Sequence, residues 1–444
     1  MNYTNVVIYS IYILCILYVF LLLYLKWQSP FWFHQPVYHT YELYPRLLLW
    51  NKRPYWKRNR PIKRGIFCDI EHIETWQYDR FTHWEPLCNL LQGYYLDNDY
   101  ALFHCTEKYL RSLFYGASWI SCYREQRLME PEHHGSGSGP HTSVVLQKWA
   151  SRPDYTRFYG CILSRPVVVY FLHYPESSTT IQYWDMLCVH EQYQKKHLSR
   201  NLIQTHIYSH NVQTGIIPNG FCFTKHGSLC TGVVPLVQYS TYTFVLRKVR
   251  FHQLPRNYRI YCLNRTHLDL WRSIYYQMTR QFDICVLPPF EYTVEWLTNE
   301  RYVIYATVYK IQKVEHVHGV YVLENTHRSW LDDTINQPHI IKLVASMNFE
   351  PKSGLGQFNH DHDPLGILFF RGFVNCLQEF LLMEKDSDHT KGILEIPMYS
   401  HNGFILDKWR EKYELHMENT SAFYLYNLVY PSSPVQMDRC LFIF

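Results

Sequence analysis

Val6 to Leu25, VVIYSIYILCILYVFLLLYL, runs for twenty residues without one charge. About 20 apolar residues of helix cross the ~30 Å hydrocarbon core of a bilayer. A secretory signal would have a basic start, a shorter apolar stretch and a small-residue cleavage site. Met1 to Asn5 carries no basic residue, and no such site follows Leu25. Residues 1–28 therefore read as an uncleaved, single-pass transmembrane anchor, with 6–25 in the membrane. Lys26, Lys52, Arg53, Lys57, Arg58, Arg60, Lys63 and Arg64 follow the run, and nothing basic precedes it. That asymmetry places the large C-terminal body on the cytosolic side. The thirteen cysteines, odd in number and irregularly spaced, suit reduced thiols. Asn2, Asn264 and Asn419 open N-x-S/T sequons, of which a cytosolic body leaves the last two unused.

Beyond the anchor the chain reads as folded, with 47% hydrophobic and 18% charged residues over 444. That length allows one large domain or two to three ordinary ones. The net charge of +5 brings no dense basic stripe interleaved with aromatics, which excludes nucleic acid as the expected partner. We have no physical account of the 39 tyrosines.

The pattern alternates strands and helices. Residues 130–143, EPEHHGSGSGPHTS, form a Gly/Ser/Pro-rich loop insertion. The two β-rich runs of YGCILSRPVVVYFLHYP are expected to meet in a hairpin at Ser164-Arg165-Pro166. Thr179–His190 is a strand, and QYQKKHLSRNLIQTHIYSHN (192–211) a helix with Leu198 and Leu202 on one face and Ile203 off it. Further on, LDLWRSIYYQMTRQF is helical, and RYVIYATVYKI and HGVYVLEN are strands. DPLGILFFRGFVNCLQEFLLMEKD starts strand-like and becomes a helix. KGILEIPM is a strand, GFILDKWREKY a helix and TSAFYLYNLVY a strand. The sum is α/β or α+β with a long mixed sheet. The chain ends on MDRCLFIF, an apolar tail that reads as a buried terminal strand.

Few stretches suggest chemistry. NHDHDP (359–364) offers four adjacent metal ligands, which cannot all point inward; it reads as a solvated loop, as do His133 and His134. No Cys-x-x-Cys pair occurs, so no metal is expected. Nucleophile-elbow, Walker and dinucleotide-binding motifs are absent. Met186 to Ile203, MLCVHEQYQKKHLSRNLI, is a strand, a basic turn and a helix. Helix N-terminal amides bind anions, and Lys195, Lys196, His197 and Arg200 add positive charge. The arrangement suits the pyrophosphate of a coenzyme A ester; a solvated basic turn explains it equally well.

This stretch resembles the acyl-CoA site of the N-myristoyltransferase family, whose pattern is close to NFLCVHKxLRxKRLAPVLI. Leu187, Cys188, Val189, His190, Lys196, Leu202 and Ile203 match, and the family's Ala-Pro step is Ser199-Arg200 here. FWFHQPV (31–37) resembles FWxTQPV, which opens the family's catalytic domain. LLQGYYLDNDYALFHCTEKYL resembles LLxxNYVEDDDxxFRFxYSxEFL. YYQMTRQFDICVLPPFEYTVEWL resembles the opening of the family's second half. HNGFILDKWREKY followed by SAFYLYNLVYPS resembles ENKxFLxxLKFGxGDGxLxYYLYNW. These landmarks keep the family's order from residue 31 to the end of the chain.

The resemblance implies two N-acyltransferase-type halves fused around the sheet, 29–240 binding acyl-CoA and 241–444 binding peptide. It implies transfer of a myristoyl group from myristoyl-CoA, as co-substrate, to the N-terminal glycine amine of proteins. Phe31, Trp32, Leu187, Cys188, Val189 and the turn Lys195, Lys196, His197, Leu198, Ser199 and Arg200 would bind the acyl-CoA. The α-carboxylate of Phe444 would act as base, and the backbone amides of Met186 and Leu187 would form the oxyanion hole. Thr224, in CFTKHG, would lie near the amine. Asp97, Asp99, Phe103 and Asn402 would touch the peptide. Phe31 follows Leu25 so closely that the acyl-CoA site would lie near the membrane surface.

The departures fall on the peptide side. The family's glycine-rich FGxGDG loop reads YELHMENT (413–420), and its YWHR-like segment reads QYSTYTFV (238–245). Two other functions stay open: a non-catalytic protein that binds acyl-CoA or N-terminal peptides, and an acyltransferase acting on another amine.

Overall fold

A computed structural model describes residues 3–42, 52–60, 64–95, 101–124, 157–216, 219–246, 249–298, 301–312, 314–331, 338–349, 366–383 and 392–443. The Gly/Ser loop 130–143, the NHDHDP stretch, Asp97, Asp99 and Phe444 lie outside the described residues.

The chain begins with helix α1 (Tyr3–Gln28) and the short α2 (Pro30–Phe33), followed by β1 (Tyr55–Trp56) and β2 (Ile73–Gln77). Next come α3 (Trp84–Tyr94), β3 (Ala101–Phe103), α4 (Glu107–Ser112), β4 (Trp119–Arg124), β5 (Phe158–Phe171) and β6 (Thr179–Val189). Helix α5 (Leu198–Thr214) leads to β7 (Phe221–His226), β8 (Val237–Leu246) and β9 (Tyr258–Cys262). Helix α6 (Leu268–Gln281), β10 (Ile284–Leu287), α7 (Thr293–Leu297), β11 (Tyr302–Ile311), β12 (Val314–Trp330) and β13 (His339–Asn348) follow. The chain closes with α8 (Ile367–Met383), β14 (Gly392–Pro397), α9 (Asn402–Arg410), β15 (Leu415–Tyr426), β16 (Leu428–Val429) and β17 (Cys440–Phe442).

One 15-stranded mixed sheet organises the body, along the path β17-β10-β5-β6-β7-β15-β8-β14-β13-β12-β11-β9, with β2, β3 and β4 joined at its sides. Its two halves are built alike. In the first, antiparallel β4, β5 and β6 lead through α5 to β7, parallel to β6. In the second, antiparallel β11, β12 and β13 lead through α8 to β14, parallel to β13. A glycine lets each crossover helix close on its sheet. A Cβ on Gly160 in β5 would meet Leu202 at 2.9 Å, and one on Gly319 in β12 would meet Phe369 at 2.8 Å. The halves also exchange strands, since β8 pairs with β14 and β15 with β7. Residue 240, where the sequence reading ends the first half, lies inside β8.

Three local expectations are corrected. No hairpin forms at Ser164-Arg165-Pro166; β5 runs through it as one 14-residue strand. On one edge β4 pairs up to Ser164 and β10 begins at Val168, so Pro166 sits where that edge has no neighbour. A proline is tolerated there because it interrupts no ladder on that edge. The helix expected from Gln192 starts at Leu198, because Lys195 and His197 take left-handed backbone conformations (φ 64° and 63°). Ile203 is buried with Leu198 and Leu202, so the helix packs on more than one stripe. The strand-like stretch ILFF belongs to α8: Phe369, Phe370, Phe373 and Leu377 are buried at helical spacing. A short apolar run does not distinguish the two periods by itself.

The tail behaves as a strand. β17 adds in parallel to β10, the Ile443 amide bonds the Val286 carbonyl at 2.9 Å, and residues 440–443 are buried. Helix α1 is the one described helix long and apolar enough to cross a membrane.

Candidate functional site

The site is centred on a defect in β6. Cys161 pairs with Cys188 and Leu163 with Asp185, so Met186 and Leu187 together oppose Ile162. This is a β-bulge, and Met186 absorbs it with φ 48°. A bulge leaves backbone groups outside the ladder and re-aims them. β13 carries a matching irregularity, with Val322 opposite Ala345 and Leu323 opposite Leu343.

β6 and its neighbours present two faces. On one, Trp184, Phe223 and Tyr424 pack with Trp32 and Phe31. Trp32 stacks on Phe223 with ring centroids 5.3 Å apart, and Phe223 on Tyr424 at 5.1 Å. The segment after the anchor is thereby fixed beneath the bulged strand. At the end of β6, His190 caps the following turn by accepting the Gln192 amide at 3.2 Å. Burial, with Arg157 beside it, pushes the His190 pKa down. Lys195, Lys196 and His197 are exposed on this turn, with Ser199 and Arg200 half-buried at the start of α5.

On the other face lie Tyr183, Asp185 and Arg165, together with β17. Arg165 pairs with Asp185 at 2.9 Å and lies over the Tyr183 ring. The Tyr183 hydroxyl reaches Thr224 Oγ1 at 3.4 Å. Thr224 pairs in register with Phe423, whose ring stacks on Phe442 of β17 at 4.6 Å. β17 and β15 are far apart along the sheet, so the sheet curls until its edge lies over this face. Tyr239 and Tyr399 close the same cluster.

Asp185 was not anticipated, although it precedes Met186 where the family pattern has asparagine. Its Oδ1 accepts the Met186 amide at 2.9 Å while Oδ2 holds Arg165. Burial alone would raise its pKa; Arg165 and Arg301 outweigh that and hold the carboxyl below its usual range. Two further internal pairs lie nearby, Arg301 with Glu324 at 2.6 Å and Arg328 with Glu395 at 2.6 Å. Buried charges persist only when paired in this way. Alternation along β5 and β6 shows that Arg165 and Asp185 can share a face; that they meet depends on register, which the bulge sets.

The structure thus brings Met186, Leu187, Thr224 and the terminal strand to one region, and Phe31, Trp32, Cys188 and Val189 to the strand's other side and end. Phe103 is buried beside Tyr95 and Tyr109. Asn402 is wholly buried, and its amide donates to the carbonyls of Pro397 (2.9 Å) and Leu343 (3.4 Å). Of the four residues expected at the peptide, these two are buried in this structure. Among the described residues, no cluster of metal-ligating side chains occurs.

Three solved structures align over nearly the whole chain, all of Saccharomyces cerevisiae N-myristoyltransferase with bound myristoyl-CoA. One superposes with a TM-score of 0.64 at 12% identity, covering 93% of each chain. A second gives 0.61 at 14% identity, over 91% of this chain and 93% of the other. The third gives 0.61 at 13% identity, over 92% and 90%. The chain has the N-myristoyltransferase fold. Compared by sequence, it matches no family model and no curated protein.

Within that fold the landmark stretches take coherent places. FWFHQPV leads from α1 to the strand's aromatic face, and LCVH ends the bulged strand. The family's glycine-rich loop is replaced by YELHMENT, most of which is ordered in β15 and paired with β8.

Proposed function

We propose that the protein is a membrane-anchored acyltransferase. It moves a myristoyl group from myristoyl-CoA to the N-terminal glycine amine of proteins. The observation that carries this reading is the Met186–Leu187 bulge, followed by the basic turn and α5, in a fold shared with proteins solved holding myristoyl-CoA. In this reading α1 spans the membrane and the body faces the cytosol. Residues 29–240 hold the acyl donor and 241–444 the acceptor. The pyrophosphate lies at the Lys195–Arg200 turn.

An N-terminal amine has a pKa near ~7.7–8.0 and must lose its proton to attack. The α-carboxylate of Phe444 accepts that proton, with Thr224 orienting the amine. The new C–N bond forms at the thioester carbonyl, whose oxygen gains charge and is met by the Met186 and Leu187 amides. One such donor is worth about 3–4 kcal/mol in comparable sites. The intermediate collapses with cleavage of the C–S bond, and the coenzyme A thiolate takes the remaining excess proton of the attacking nitrogen and leaves as the thiol. Asp185 must release the Met186 amide for the hole to form.

One observation favours a second reading. The Asp185 carboxylate already occupies the Met186 amide, as suits a protein that binds acyl-CoA or N-terminal peptides without turning them over. The full chain in lipid nanodiscs, given myristoyl-CoA and glycine-starting peptides, separates the two. Amide-linked myristoyl peptide in the mass spectrum supports the transferase. Bound acyl-CoA with no product on any peptide supports the binder.

A further inference from the structure

The anchor does not stand clear of the body. Along α1, Leu25 is 8% exposed, Leu22 is half-buried and Tyr18 is 40% exposed, against 57% to 65% for Leu14, Leu17 and Leu23. Positions 18, 22 and 25 form one helical stripe. The stripe meets two segments. Leu25 lies against Gly232, 3.5 Å from where a Cβ would be, and the Tyr18 hydroxyl donates to the Tyr41 carbonyl at 3.3 Å. The segments are tied together: the Thr40 amide bonds the Gly232 carbonyl at 3.0 Å, and the Val234 amide the Tyr38 carbonyl at 2.7 Å.

These contacts conflict with a body that stays in water. Lys26 and Trp27, the latter 77% exposed, mark the membrane level, as cations and tryptophans do at interfaces. Tyr18 lies nine residues deeper, about 13 Å along the helix axis. An interface level with Lys26 and Trp27 therefore leaves Tyr41, held by Tyr18, below the membrane surface rather than in water.

We propose that residues 33–42, with the adjoining 229–233 loop, form a collar that sinks into the membrane interface and seats the body on the bilayer. The inference rests on reading α1 as a membrane span. The collar has interface chemistry. Phe33 packs on Tyr41 at 5.4 Å and His39 stacks on it at 4.7 Å, while Leu229 is exposed. Its acidic residue, Glu42, is paired with Lys57. Arg58 bonds the His34 carbonyl at 3.0 Å and supplies positive charge at headgroup level. Aromatic rings with polar tips favour this depth. The floor under the bulged strand, Trp32 on Phe223, continues directly from the collar, so an acyl donor dissolved in the bilayer has a short path to it.

The test is photocrosslinking of the full chain in liposomes. The photoreactive residue p-benzoylphenylalanine is placed singly at position 14 in the span, 41 in the collar and 404 on α9. The Tyr41 replacement leaves the carbonyl that Tyr18 uses. The expected result is lipid adducts from positions 14 and 41, several-fold above position 404. Adducts from 14 with none above the 404 level from 41 would overturn the collar and leave the span standing. No adducts from position 14 would overturn the span itself, and the collar with it.

Discussion

The two faces of β6 differ in how they are filled. The donor face, with the end of β6, keeps the bulge, the LCVH ending, the basic turn and the aromatic floor of Trp32, Phe223 and Tyr424. The acceptor face holds a buried ion pair, Arg165–Asp185, and a packed cluster of Tyr183, Tyr239, Tyr399, Phe423 and Phe442. Where the resemblance leads one to expect a glycine-rich loop, the chain pairs β15 with β8. Main-chain chemistry explains part of the contrast. Backbone amides and a helix N-terminus tolerate side-chain change, which is how Met186 can stand where the family has phenylalanine. On the face proposed for the acceptor, the side chains differ from those that the resemblance leads one to expect. In the proposed reading the donor side is thus the better kept and the acceptor side the more altered.

The largest expected effect probes the proposed base. Amidating Phe444 by protein ligation removes the charge and keeps the strand. Turnover should fall by the 10²–10⁴-fold that general base catalysis typically supplies, with acyl-CoA affinity unchanged. Turnover equal to the unmodified protein moves the base elsewhere. Adding two glycines should act likewise, since it displaces the charge by roughly 7 Å.

Next comes the buried pair. Asp185→Asn strands Arg165, and the loss of one partner of a buried pair costs about 3–5 kcal/mol. Urea unfolding should register that loss, while calorimetry on the folded variant shows unchanged acyl-CoA affinity. A weakened acyl-CoA affinity would show that the two faces are not separable.

Acidification should act through donor-side histidines. His206 is buried between the hydroxyls of Ser121 and Ser164, both at 2.8 Å, and burial pushes its pKa down to about 3. Burial takes His210 down to about 4. Unfolding returns both to about 6.5, so the unfolded chain binds more protons below that pH. Their contribution is complete above pH 6.5 and is lost as pH falls toward 4. Between pH 7.5 and 5.5 the pair should cost about 2–3 kcal/mol. Urea midpoints at the two pH values check it, and replacing both histidines with glutamine should flatten the difference.

The smallest effect belongs to the turn. Replacing Lys195, Lys196 and Arg200 with alanine should weaken acyl-CoA binding by a few tenths to ~1 kcal/mol per residue. The loss should shrink at high salt. Unchanged affinity at low salt would place the pyrophosphate elsewhere.

The mixed sheet, the long apolar N-terminal helix and the terminal strand were legible because each rests on a long apolar pattern. Of CLFIF, read as a strand, Cys440–Phe442 form β17 beside β10. The hairpin at Pro166 was misread because a proline marks a turn only when its edge has a neighbour to lose. The start of α5 was misplaced because two non-glycine residues, Lys195 and His197, take left-handed conformations that no local signal announces. At the site, motif order located Met186 and Leu187, and the bulge lies there. Asp185 was missed because its role depends on meeting Arg165, a consequence of register. Asn402 and Phe103 fell in matching motifs, yet both are buried. Many of the abundant tyrosines also lie in the interior, Tyr305, Tyr321, Tyr424 and Tyr426 among the largest fully buried side chains.

The comparison between faces reduces to whether the donor side works without an acceptor. Isothermal titration of the full chain in nanodiscs with myristoyl-CoA, and no peptide present, measures this. The account predicts saturable one-site binding that weakens when Lys195, Lys196 and Arg200 are replaced together. Absence of saturable binding to the intact protein would contradict it.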